Sequence, residues 1–155
     1  MRTVHEWLNE YGESHTNKTN KLIHWICVPA IFFSITGLLY CIKLPIFLTS
    51  NLRLNVAMIV LLFTTIYYLS LSIKLGIGML IFGIICLVLC YLSEKYLSFP
   101  LWVFCIIIFI IAWIGQFYGH KVEGKKPSFF KDLQFLLIGP MWLMSFVYEK
   151  MGIAF

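Results

Sequence analysis

Apolar positions in this chain gather into long runs with little alternation. A spanning helix needs about 20 largely apolar residues. Four stretches meet that need, approximately Leu22–Ile42, Leu54–Ile73, Leu75–Leu92 and Pro100–Gly119. A fifth, Leu133–Tyr148, is shorter and is interrupted by Gly139-Pro140. A proline inside a helix removes a hydrogen bond and clashes with the preceding turn, and in lipid the freed carbonyls need partners within the protein. This predicts a kinked helix over about 128–149, re-entrant or lying against the bundle, with a full crossing left open. Ahead of the first run, Val4, Trp7, Leu8 and Tyr11 share one helical face. They predict a short amphipathic helix at the membrane surface or on the bundle. The polar connection Ser14-His15-Thr16-Asn17-Lys18-Thr19-Asn20 offers helix N-caps, so His15 precedes the cap and His24 falls inside the helix. The expected fold is all-α: an integral membrane helical bundle of four spanning helices, an N-terminal amphipathic helix and a Pro-kinked C-terminal helix. It forms a single membrane domain over residues 1–155.

Composition supports the membrane reading. The chain is 61% hydrophobic and only 12% charged, against about 25% charged residues in soluble domains. A small soluble globule could not be covered from this alphabet. The residues before the first run include Glu6, Glu10 and Glu13 with no apolar core, so a cleavable signal is not expected. Arg2, Lys18 and Lys21 precede the first run, while Lys121, Lys125, Lys126 and Lys131 follow the fourth. With four spans both clusters fall on one side, which the positive-inside rule makes cytoplasmic. His15, His24 and His120 share that side. The net charge of +5 is met by anionic lipid headgroups at this face, and no nucleic-acid motif appears. A bacterial cytoplasmic membrane is the expected location, on the compactness of the chain and the lack of an endoplasmic reticulum retrieval motif, with the endoplasmic reticulum membrane as the eukaryotic alternative. The five cysteines lie in or beside apolar runs and form no CxxC pair, as expected of small packing residues.

Ionisable groups at membrane depth cost about 2.5–3.5 kcal/mol each at a helix centre, and those retained mark a site by default. Trp113, Gln116, His120 and Glu123 are spaced 3, 4 and 3, a single helical stripe. Asn17, Asn20, His24 and Cys27 repeat the spacing at the start of the first span. If the two ends meet, His15, His24, His120 and Glu123 can surround one centre. Imidazole with carboxylate suits iron, zinc or manganese. Tyr11, Asn20 and Gln116 are available to hydrogen-bond the ligands' remaining atoms. The plainer alternatives are interfacial histidines, a solvated Glu123 and a helix-gluing Gln116.

The pattern Tyr11-x3-His15-x4-Asn20-x3-His24-x4-Pro29, followed by Trp113-x2-Gln116-Phe117-x2-His120-x2-Glu123-x3-Pro127, resembles the Mpo-like family of membrane-bound 2-hydroxy fatty acid dioxygenases. The resemblance runs through the Gly139-Pro140 tail; Ser128 replaces the alanine expected after Pro127. It implies an Fe(II)-dependent oxidoreductase of fatty acid alpha-oxidation, taking a 2-hydroxy fatty acid and O2 to the one-carbon-shorter acid and CO2. The implied ligands are His15, His24 and His120, with Glu123 as a ligand or a catalytic base and Lys121 as a steering group for the substrate carboxylate. The acyl tail would lie among spans one and four, in contact with membrane lipid. A small transporter, a structural membrane protein and a zinc lipid hydrolase are the competing readings. Oligomeric state, a homo-oligomer included, is open.

Overall fold

The computed structural model describes residues 3–49, 52–124 and 135–155. Among them the chain runs through α1 (Val4–Gly12), α2 (Lys18–Tyr40), β1 (Lys43–Thr49), β2 (Leu52–Asn55), α3 (Val56–Leu71), α4 (Ile73–Tyr96), α5 (Leu101–Glu123) and α6 (Ile138–Lys150). Arg2, Lys125, Lys126, Pro127, Ser128, Lys131 and the expected start of the last helix lie outside the described residues.

Helices α2, α4 and α5 have 23, 24 and 23 residues and are long and apolar enough to cross a membrane. At 1.5 Å per residue each reaches about 35 Å, beyond the ~30 Å hydrocarbon core. They mark an integral membrane protein. Helix α3 has 16 residues, about 24 Å, so the second expected span is a shorter helix than the other three. Ser72 ends it. Its backbone is extended, at φ −159° and ψ 123°, and its side chain accepts from the Leu75 N–H at 3.4 Å, which starts α4. Serine competes for backbone groups in this way wherever a helix can be interrupted. The two helices then fold back on each other, with Gly76 against the Leu69 backbone and Gly83 against Leu61.

Two expectations are corrected. The all-α reading missed an antiparallel hairpin, β1 with β2, paired through Lys43 with Asn55, Phe47 with Arg53 and Thr49 with Leu52. The register breaks between Lys43 and Phe47, a stretch containing Pro45, which lacks the N–H a regular ladder needs. Asn55 closes the hairpin and caps α3 by accepting from the Met58 N–H at 3.2 Å. The kink expected at Gly139-Pro140 is instead a helix start. With α6 beginning at Ile138, Pro140 sits in the first turn, where the missing N–H has no helical partner to lose.

Helices α2 and α5 pack antiparallel along a seam of small residues. Gly37 of α2 lies under Cys105 Sγ; Gly115 and Gly119 of α5 lie under Cys27 Sγ and Asn20 Oδ1. A methyl group at any of the three would collide with its neighbour, so the backbones approach closely, as small residues allow in membrane helix pairs. The seam carries the start of α2 to the end of α5. Helix α1 applies its buried Val4, Leu8 and Tyr11 to α6 and the core, which settles it on the bundle. Its start is fixed by a reciprocal cap between Thr3 and Glu6.

Candidate metal centre

Three imidazoles meet where α1, α2 and α5 converge. Asn17 caps α2 by accepting from the Thr19 and Asn20 N–H groups, which leaves His15 in the preceding loop and His24 in the second turn. His120 lies in the last turn of α5, just before the left-handed Gly124 that ends the helix at φ 74°. Ring centroids are 4.1 Å apart for His15 and His24, 5.3 Å for His24 and His120, and 5.9 Å for His15 and His120. One ring nitrogen from each lies within 4.8 Å of the others, a grouping able to hold a metal ion. Exposures of 2%, 1% and 6% seal all three from solvent.

The hydrogen bonds select which nitrogens face inward. His15 Nδ1 donates to the Tyr11 carbonyl oxygen at 2.7 Å. A carbonyl only accepts, so Nδ1 carries the proton and a neutral His15 keeps a lone pair on Nε2. His24 Nδ1 lies 3.3 Å from the Tyr11 hydroxyl, while its Nε2 is buried with no hydrogen-bond partner among the described residues. Leaving such an atom unsatisfied costs about 1–3 kcal/mol, whereas a cation there would use it. One tyrosine thus orients two histidines, the arrangement metal sites use to fix ligand rings. Neutral nitrogen donors fit iron, zinc, copper or nickel.

The remaining sequence-predicted residues divide by depth. Tyr11 is buried and stacks on His15 with centroids 4.3 Å apart. Gln116 is buried one turn before His120 and lines a small cavity with Tyr11. Glu123, expected as a ligand or base, is not in the three-histidine group. Its carboxylate accepts from the Thr16 N–H at 2.8 Å, the Thr16 hydroxyl, the Asn17 N–H at 3.0 Å and Asn20 Nδ2 at 2.9 Å. It therefore ties the end of α5 to the N-terminus of α2, where a negative charge is also favoured by the helix dipole. Asn20 is fully buried and also donates to the Ser14 carbonyl at 3.4 Å. Lys121 is exposed on the last turn of α5.

Sequence reasoning missed the wall behind the histidines. The Trp142 ring lies 5.3 Å from His15 and 5.2 Å from Tyr11, and Phe135 lies 5.5 Å from Tyr11. A tryptophan in a membrane chain is most simply read as part of an interfacial aromatic belt, but Trp142 is 5% exposed and packed in the core. No spacing within its own segment connects it to the histidines.

Residues 1–151 match the family model described as 2-hydroxy-palmitic acid dioxygenase Mpo1-like. The chain belongs to this family. The matched range takes in all three histidines and the whole of α6. The 2-hydroxy-palmitic acid dioxygenase MPO1 of Saccharomyces cerevisiae is 30% identical over 148 residues, covering 94% of this chain and 79% of the yeast protein. No solved structure matches the chain. Family membership and the buried histidine cluster, reached by separate routes, agree.

Proposed function

We propose that the chain is an iron(II)-dependent dioxygenase of fatty acid alpha-oxidation, converting a 2-hydroxy fatty acid and dioxygen into the one-carbon-shorter fatty acid, carbon dioxide and water. The observation that carries this reading is the buried meeting of His15, His24 and His120 in a chain that matches the dioxygenase family along nearly its whole length. The reaction balances without a cosubstrate. Cleavage of the C1–C2 bond releases C1 as carbon dioxide and oxidises C2 to the new carboxyl carbon. The electrons that reduce dioxygen come from those two carbons alone.

His15, His24 and His120 hold the ion, and three protein donors leave positions for other ligands. When bound, iron(II) supplies redox activation of dioxygen and a Lewis-acidic anchor for the substrate's carboxylate and hydroxyl. Zinc has no redox chemistry, so a three-histidine zinc site would fit a hydrolase instead, and metal content separates the two. Tyr11 holds both His15 and His24 in orientation. Glu123 acts through Asn20 and the loop carrying His15, and Gln116 presents a polar group toward the substrate's polar end. Lys121 draws the carboxylate toward the interface. The wall of Trp142 and Phe135 excludes water.

In this reading α3 completes a fourth crossing beside α2, α4 and α5, and the exposed apolar faces of α3, α4 and α5 meet lipid. Lys18, Lys21 and Lys121 then gather on one side with the histidines, the cytoplasmic side by the positive-inside rule. The test is oxygen uptake by purified protein given iron(II) and 2-hydroxypalmitate. Uptake matched by pentadecanoate formation is expected; iron-loaded protein that consumes neither oxygen nor hydroxy acid overturns the proposal.

A further inference from the structure

Two adjacent cavities follow one face of α2 from beside the histidines, at Tyr11 and Gln116, to the middle of the bundle. The first, about 30 Å³, is lined by Tyr11 and Gln116 at the histidine end and by Val28, Ile31 and Phe32 further on. The second, about 120 Å³, continues past Phe32 to Ile35, Thr36 and Leu39, and is closed on its other side by Ala57, Val60 and Thr64 of α3. Phe32 and Leu136 line both. The α2 residues Val28, Ile31, Phe32, Ile35, Thr36 and Leu39 recur every three or four positions, a single helical stripe. Tyr11 and Gln116 supply polar groups at the histidine end, while Thr36 and Thr64 in the second cavity donate to the Phe32 and Leu61 carbonyls of their own helices, which leaves that lining almost wholly hydrocarbon.

We infer that the substrate's acyl chain lies in this groove between α2 and α3, with Ala57 at its closed end setting the longest chain accepted. The inference rests on the dioxygenase reading for the identity of the occupant. Length supports it. From Val28 to Leu39 the stripe rises about 16 Å at 1.5 Å per residue, close to half the ~30 Å hydrocarbon core, the depth one acyl chain spans in a leaflet. Exclusion supports it too. The sequence reading puts the tail among spans one and four, and Gln116 of α5 does line the first cavity; beyond it Gly37 lies under Cys105 Sγ, which brings α2 and α5 too close to admit a chain there. The far end is closed because Ala57, 1% exposed, packs with the buried Tyr40 and Cys90.

Thr64 lies two helical turns from Ala57, about 10 Å along α3, toward the histidines, since the neighbouring Tyr68 hydroxyl donates to the Leu137 carbonyl beside Phe135. Filling the groove at the two positions therefore cuts the tail at two lengths. In Ala57→Leu the kcat/KM for 2-hydroxypalmitate should fall about tenfold or more, the scale of added methylenes in an apolar pocket, with 2-hydroxyoctanoate little affected. In Thr64→Phe the loss should begin at shorter acids. Equal losses at every length in a folded variant overturn the groove. A second measurement needs no turnover: 2-hydroxypalmitate bearing a terminal diazirine is photolysed on wild-type protein, and the labelled peptides are identified. Labelling of α3 between Ala57 and Thr64 that excess 2-hydroxypalmitate suppresses supports the groove even if no activity is found, in which case only the dioxygenase reading fails. Suppressible labelling confined to the outer face of α5 overturns the groove whatever the activity.

Discussion

Replacing Glu123 with glutamine separates a ligand from a residue that holds the ligands in place. The carboxylate gathers donors from Thr16, Asn17 and Asn20. A glutamine amide retains one acceptor oxygen but turns an NH2 group toward the remaining N–H donors. Hydrogen bonds to charged groups contribute about 1.5–3 kcal/mol each, and the solvent reaching this end of α5 lowers that figure. A net loss of about 2 kcal/mol is expected, felt as loosening of the loop that carries His15. Carried through to the ligands, a loss of about 2 kcal/mol corresponds to roughly 30-fold in metal affinity. Iron(II) titration of purified Glu123→Gln, beside wild type and His24→Ala, should give a site that still fills at high iron, weakened roughly 30-fold. His24→Ala should give a site that does not fill. A Glu123→Gln protein that never binds iron while remaining folded would return Glu123 to the coordination sphere and refute the positioning role. Unchanged affinity would refute the coupling.

Further outcomes follow from the same geometry. Tyr11→Phe removes the hydroxyl beside His24 Nδ1 but keeps the ring stacked on His15, so metal affinity should fall by about 1 kcal/mol, roughly fivefold, with little change in melting temperature. Gly115→Leu drives a branched side chain into Cys27; overpacking of about 1–3 kcal/mol or more should lower the melting temperature in detergent and weaken metal binding together, because the seam sets where His24 and His120 meet. Trp142→Ala should cost about 3–5 kcal/mol of stability, read by thermal unfolding. Chelation should abolish oxygen uptake, and iron(II) but not zinc should restore it.

The long apolar runs made α2, α4 and α5 legible, because membrane crossing is dictated by length and composition. Helix α3 falls inside the expected second run but is shorter at both ends, because Asn55 belongs to the hairpin and caps its start while Ser72 ends it. The hairpin was hidden because its exposed apolar residues and Pro45 resemble a loop, and its pairing depends on a partner strand. Periodicity found the face on which His120 and Glu123 lie but not the level. A helix rises about 4.5 Å over three residues, enough to leave His120 with His24 and to place Glu123 beside Asn20 and the cap of α2. Trp142 and Phe135 reach the site through tertiary packing alone, to which no local spacing corresponds.

The central claim is that imidazoles from the two ends of the chain share one redox-active ion. X-ray absorption at the metal edge, on purified full-length protein, tests it most directly. Iron bound with backscattering from three imidazole rings, and lost together with that signal in His15→Ala, His24→Ala and His120→Ala, is the predicted result. Zinc in that environment, or iron whose coordination is unchanged by those substitutions, would contradict it.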